Sequence, residues 1–232
     1  MLALFYVVTF VAGFTGALCF LHYNMHGVIS ILQISLALFS VINVMINIWE
    51  IALFVHIKRI KTRSDAYLKE LKPSKLPSLF LLQDMPLSRA LSLEGWSEVW
   101  VFYSLFDQSY ADSKSFGWLI DIGNGFSSLV PSVLWAVCMT YHSLLPAKVV
   151  AIIGTASFWQ MLYGTILYFT QYMYHKRWKK HSNPTWQILA LVVGSNIVWI
   201  VFPALGIYAA AQMILAPDNE DGYSIFLERG GY

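Results

Sequence analysis

A line of amides, hydroxyls and one acid runs through an otherwise apolar stretch. Gln33, Ser40, Asn43, Asn47 and Glu50 are separated by seven, three, four and three residues. Those steps return to one face of a helix. Asp121, Asn124 and Ser128 repeat the pattern, with Pro131 a turn further on. Ser157, Gln160 and Tyr163 follow, then Ser195, Asn196 and Trp199 ahead of Pro203. A carboxyl group can deliver or remove a proton, whereas an amide only exchanges hydrogen bonds near neutral pH. Asp121 and Glu50 are the groups of the set that can ionise near neutral pH. Asn43, Asn47, Asn124, Gln160, Tyr163, Asn196 and Trp199 are candidate ligand contacts. A second reading stays open, in which these groups form interhelical hydrogen bonds worth ~0.6–2 kcal/mol each. Glu50, near a basic loop, could also snorkel or pair with Lys58.

Other chemistry is sparse. His22 and His26 stand at i and i+4, a spacing that can hold a metal on a helix, but Gly27 and the turn context argue against it. His175 and His181 fall in a basic turn and read as solvated. Cys19 and Cys138 lie inside apolar blocks and read as small apolar filler. No phosphate-cradling glycine loop, paired-cysteine motif or serine–histidine–acid signature is present. Neither a metal nor a cofactor is expected.

The elements that must position these residues are membrane helices. The chain is 57% hydrophobic and only 12% charged, about half the charge of a soluble domain. A spanning helix needs ~20 mostly apolar residues. Five stretches qualify: roughly Leu2–Leu21, Ile29–Ile57, Phe116–Tyr141, Ala147–Tyr174 and Thr185–Leu215. The first has no basic residue before His22, and Ala17-Leu18-Cys19 is a loose cleavage triplet, so it is expected to stay as a span. Thirteen of the 15 basic residues fall in the loops after the second and fourth spans, leaving only Lys148 and Arg229 opposite. That asymmetry places the N-terminus and both basic loops on the cytoplasmic-equivalent side and the acidic tail on the other. The expected fold is all-α: a single membrane domain over residues 1–217 with five transmembrane helices, then an acidic tail over 218–232. The extramembrane loop 62–115 is broken by Pro73, Pro77 and Pro86. Trp96, Trp100, Tyr103 and Phe106 share a face within it and predict an interfacial helix over Glu94–Asp107. Nucleic acid is not an expected partner, and the sequence does not indicate an organelle.

Three runs carry a resemblance: Gln160 to Phe169 (QMLYGTILYF), Asn196 to Gly206 (NIVWIVFPALG), and Trp100, Tyr103, Asp107 and Tyr110 in a W-x2-Y-x3-D-x2-Y pattern. They resemble the emopamil-binding protein family of the EXPERA superfamily, over the second to fifth spans. The resemblance implies a four-span core, with the first span an addition, and an intramembrane cavity for a sterol-like or amphipathic amine ligand. The family includes sterol Δ8–Δ7 isomerases. In these a histidine and a glutamate on one span and a glutamate on the next move the proton, while an asparagine and a tryptophan on the last span help hold the cationic intermediate. Asn196 and Trp199 match that last pair, and Asp121 falls near the position of the glutamate on the next span, in a shorter form. Asn43 and Asn47 stand where the histidine and glutamate would be, so a standard isomerase is not expected.

Three functions are thereby set out. The first is a lipid- or sterol-binding membrane protein. The second is an intramolecular sterol double-bond isomerase using Asp121 and Glu50. The third is an accessory subunit of a membrane complex or homodimer, in which the polar faces are packing contacts.

Overall fold

The computed structural model describes residues 1–70, 79–176, 192–217 and 219–227. Pro73, Pro77, Lys72, Lys75, Arg177, Lys179, Lys180, His181, Thr185, Asp218, Glu228 and Arg229, which figure in the sequence reading, lie outside them. The described residues are all-helical, without a β-strand. In order they form α1 (Ala3–His26), α2 (Ile31–Val55), α3 (Ile57–Glu70), α4 (Leu87–Ala90), α5 (Leu93–Ser104), α6 (Phe116–Ser127), α7 (Leu129–Cys138), α8 (Ala147–Tyr174) and α9 (Val198–Leu215). A helical stretch precedes α9, so that the apolar run covers Val192–Leu215 with a turn at Ile197.

Four of these helices are long and apolar enough to cross a membrane: Ala3–His26, Ile31–Val55, Ala147–Tyr174 and Val192–Leu215. Their outward residues include Phe5, Val8, Phe14, Ile152, Trp159, Ile166 and Val201, all exposed. Surfaces of that kind need hydrocarbon around them. The chain is a multi-pass membrane protein.

The third apolar stretch is not one long helix. It is divided at Ser128 into α6 of 12 residues and α7 of 10 residues. Pro131 accounts for the break: it has no N–H to give to the carbonyl of Ser127, and its ring crowds that carbonyl. The α1 helix ends at Gly27, whose φ of +69° suits a glycine after a helix and lets its N–H reach the Tyr23 carbonyl at 2.7 Å.

The chain forms two compact units. One comprises Met1–Val7, Ile46–Phe126 and Gly164–Val198. Here α3, α4 and α5 are tied by charge. Arg59 bonds Glu98 at 2.8 Å and Glu94 at 3.0 Å, while Arg63 and Arg89 approach the same Glu98 carboxylate. Ser92 caps α5 by accepting from the Gly95 N–H at 3.0 Å. The helix predicted over Glu94–Asp107 is present, starting one residue earlier and ending at Ser104. Its aromatic stripe packs inward. Trp96 stacks on Trp49 at 5.2 Å, and the Trp100 indole N–H donates to the Trp49 carbonyl at 2.6 Å.

The other unit comprises Val8–Met45, Ser127–Tyr163 and Trp199–Tyr232. Its core is aromatic. Trp135 meets Phe158 edge-on at 4.9 Å, and Phe39 stacks on Phe202 at 5.3 Å. Such geometries add to the gain from area burial. A 3-10 turn over Gly222–Phe226 packs Phe226 edge-on against Trp135.

Candidate functional site

The five polar residues of α2 are all buried: Gln33 0%, Ser40 2%, Asn43 2%, Asn47 0% and Glu50 5% exposed. The single face expected from their spacing is the inward one.

In the first unit, Glu50 is the centre of interest. Its Oε2 atom is buried and has no hydrogen-bond partner among the described residues. The Asp121 carboxyl, on α6, lies close enough to act on it electrostatically. Lys58 is exposed and makes no ion pair with Glu50, so the snorkelling alternative is not realised. The two acids are brought together by a close approach of helices. A Cβ on Gly125 would stand 2.8 Å from the Glu50 Cβ and 3.2 Å from the Asn47 carbonyl. Only a glycine lets α6 pack this tightly against α2. Asn47 and Asn124 each interact with neighbours in the structure.

Phenols lie beside Asp121 and Asp107. Tyr110 directs its hydroxyl at Asp121. The Tyr168 hydroxyl donates to Asp107 Oδ2 at 3.1 Å, and the Asp107 Oδ1 accepts from the Ser109 N–H at 3.0 Å. Tyr103 sits beside Tyr110, their rings 5.0 Å apart, and its hydroxyl also meets Tyr168. Asn196 donates to the Tyr103 hydroxyl at 3.0 Å and to the Val192 carbonyl at 2.8 Å. Burial pushes the Tyr103 hydroxyl above the ordinary phenol range and the Tyr110 hydroxyl well above it. Both therefore stay protonated and able to donate. Of the motif residues Trp100, Tyr103, Asp107 and Tyr110, it is Tyr110 that reaches Asp121, with Trp100 and Tyr103 packed on its ring. A polar groove of about 400 Å³ opens beside Asp107, lined also by Lys61, Asp65, Ser109 and Asp112. It contains none of the ligand contacts expected from sequence.

In the second unit, Asn43 is fully engaged. Its Nδ2 donates to Ser132 Oγ at 2.8 Å, and its Oδ1 accepts from the Trp199 indole N–H at 3.1 Å. The Gln160 amide donates to Ser127 Oγ at 2.6 Å. Ser127 and Ser132 lie on either side of the break at Ser128, so these amides hold the broken segment in place. Tyr163 is 50% exposed and stacks on Trp159 at 5.8 Å, facing outward. Its place is therefore on the surface rather than beside the other candidates.

His22, His26 and the two cysteines are the remaining candidates. Both cysteines are free thiols. Cys19 lies against the Gln33 amide oxygen at 3.8 Å. Among the described residues no group of three or more His, Cys, Asp or Glu side chains has the arrangement of a metal site. No family model, no curated protein and no solved structure matches the chain.

Proposed function

We propose that this multi-pass protein binds a sterol-like or amphipathic amine ligand, in the manner its resemblance to the EXPERA superfamily implies, with Glu50 and Asp121 as the polar anchor. The observation that carries the reading is the Glu50 carboxyl: buried within an apolar helix, with one oxygen unpartnered, and facing a second acid. An acid placed inside a membrane helix is costly and by default marks a functional site. Two such acids, one of them met by the Tyr110 hydroxyl, are complementary to positive charge. An ammonium group would supply it directly.

Five crossings belong to the same proposal. Each of the five apolar segments begins in one compact unit and ends in the other. This holds for α6 and α7 taken together, whose break at Ser128 falls next to the unit boundary. A crossing by α6–α7, together with that of α8, also keeps both basic loops on one side, as the positive-inside rule requires.

The test is binding of a radiolabelled sterol and of a radiolabelled amphipathic amine to purified protein. Glu50→Gln and Asp121→Asn are expected to weaken amine binding at least about tenfold, the size of one lost charge-assisted contact. Equal binding by wild type and both variants, or none by any of them, sinks the proposal.

A second reading is favoured by the same acid pair. With one carboxyl delivering a proton and the other removing one, double-bond migration in a sterol is chemically complete. Rescue of cells lacking their own isomerase, abolished by Asp121→Asn, would select it. Failure to rescue with ligand binding intact leaves the first reading alone.

A further inference from the structure

Three histidines stand in one continuous stack in the second unit, far apart in sequence. The His22 and His26 rings are 4.7 Å apart, and His26 stacks on His142 at 4.4 Å with an interplanar angle of 22°. His142 in turn stacks on Tyr223 at 4.4 Å and 14°. The stack joins three elements: the end of α1, the connection between α7 and α8, and the 3-10 turn Gly222–Phe226. Hydrogen bonds pin it. His26 Nε2 meets the Thr140 carbonyl at 2.8 Å, His142 Nε2 meets the Met139 carbonyl at 3.2 Å, and His142 Nδ1 meets Asp221 Oδ2 at 2.9 Å. His22 is completely buried, and neither ring nitrogen has a hydrogen bond, although the Met139 and Phe226 carbonyls lie near it. Asp221 also caps the 3-10 turn through the Tyr223 N–H at 3.0 Å, and the Tyr223 hydroxyl donates to the Leu145 carbonyl at 2.9 Å.

Neutral imidazoles stack comfortably at these separations. Charged ones repel, and screening is weakest at His22, which is buried, while His26 and His142 are half-buried. Among the described residues, the titratable groups facing the rings are few. From α1 come His22 and His26 themselves, from the connection between α7 and α8 His142, and from the C-terminal segment Asp221 and Tyr223. Cys138, at the end of α7, neighbours Tyr223. One carboxylate thus stands against three imidazoles. It can balance one proton, on His142, and not a second or third.

We propose that this stack is a proton-operated clasp, closed at neutral pH, that releases the segment Asp221–Leu227 on mild acidification. The direction follows from the surroundings of His142. Burial, reinforced by His26, holds its imidazole below the ordinary range despite Asp221. A base whose folded-state value is depressed stabilises the fold above the unfolded value, and that contribution is lost as pH falls through the folded one. The window therefore opens below the ordinary histidine value of ~6.5 and extends downward. By the positive-inside reading the clasp lies on the side away from the basic loops, where compartments can be acidic. Neither Glu50 nor Asp121 takes part, so the clasp stands or falls apart from the ligand proposal.

Hydrogen–deuterium exchange of the full chain in lipid nanodiscs tests it, with rates corrected for intrinsic pH dependence. The amides of Tyr223, Ser224 and Leu227 are hydrogen-bonded within the turn. Their protection is expected to be lost progressively between pH 7.5 and ~5, because a base that binds its proton more tightly once released draws the equilibrium toward the open state. The α8 amides should keep theirs. His26→Phe and His142→Phe keep a stacking ring without a titratable nitrogen and should flatten the dependence. Asp221→Asn should move release to higher pH. Unchanged wild-type protection down to pH 5 overturns the proposal without recourse to any variant. So does a pH-dependent loss that persists in the double phenylalanine variant.

Discussion

Asn43 and Glu50 lie two turns apart on one helix and meet opposite fates. Asn43 is engaged on both sides of its amide, by Ser132 and Trp199, whereas Glu50 keeps a buried oxygen without a partner. A satisfied amide is accounted for by packing, whereas a buried acid with an unpartnered oxygen is what the ligand proposal rests on. Substituting each should separate the two. Asn43→Ala strands the Trp199 N–H and the Ser132 hydroxyl. It is expected to cost about 1–2 kcal/mol of stability, the usual range for interhelical polar contacts in membranes, measured by unfolding in a mixed micelle. Glu50→Gln should cost little stability and act on ligand binding instead. If Asn43→Ala folded as well as wild type but lost ligand, the roles would be reversed. The burial of all five α2 polar residues was legible in their spacing, because seven, three and four are helical steps. Their division into engaged and open groups was not. It depends on Ser132, Trp199 and Asp121, which are distant in sequence and carry no mark of whom they meet. The histidine stack is the same case: the i, i+4 pair was visible, but His142 and Asp221 join it only through the fold.

At the scale of elements, legibility followed chain chemistry. The α8 helix runs Ala147–Tyr174 as its sequence predicts, since twenty-eight residues without proline or glycine pairs give no reason to stop. The stretch from Phe116 reads by hydropathy as one helix and is two. What divides it is the carbonyl that Pro131 displaces four residues earlier, an effect that hydropathy does not register. The aromatic stripe of α5 has the period of a headgroup belt. Trp100, 7% exposed, instead packs against Trp49 and Tyr110. Period alone does not say what a face meets. The approach of α6 to α2 makes a sharp prediction. Gly125→Leu would drive a branched side chain into Glu50 and Asn47, and overpacking of this kind costs about 1–3 kcal/mol. Loss of thermal stability together with loss of amine binding is expected. A variant as stable as wild type would mean that α6 can move away without cost.

For the whole molecule, the count of crossings is the decisive measurement. Four helices are long and apolar enough to cross, and in the proposed five-span topology the broken α6–α7 segment makes the fifth crossing. With Cys19 and Cys138 replaced by alanine, single cysteines at Thr62 and Leu144, both exposed, report on the two ends of that segment. Five crossings predict that a membrane-impermeant maleimide applied to sealed vesicles labels one and spares the other. Labelling of both from the same side would mean the broken segment turns back. Charge distribution is what makes this order of crossings an expectation from sequence, because membranes sort lysine and arginine by side. The loop between α2 and α6 was less readable, because its fold depends on arginines of α3 and α4 converging on one glutamate of α5.

None of the most apolar window of α1 is buried by the rest of the chain. Only a few of its side chains, such as Ala3, Cys19, His22 and His26, touch protein groups that discriminate between residues. In a saturation library, the outward positions Val8, Phe14 and Phe20 should interchange freely with any greasy side chain, because solvent hydrocarbon has no shape to match. Selection would then register this rod as four or five fixed letters on an otherwise blank strip.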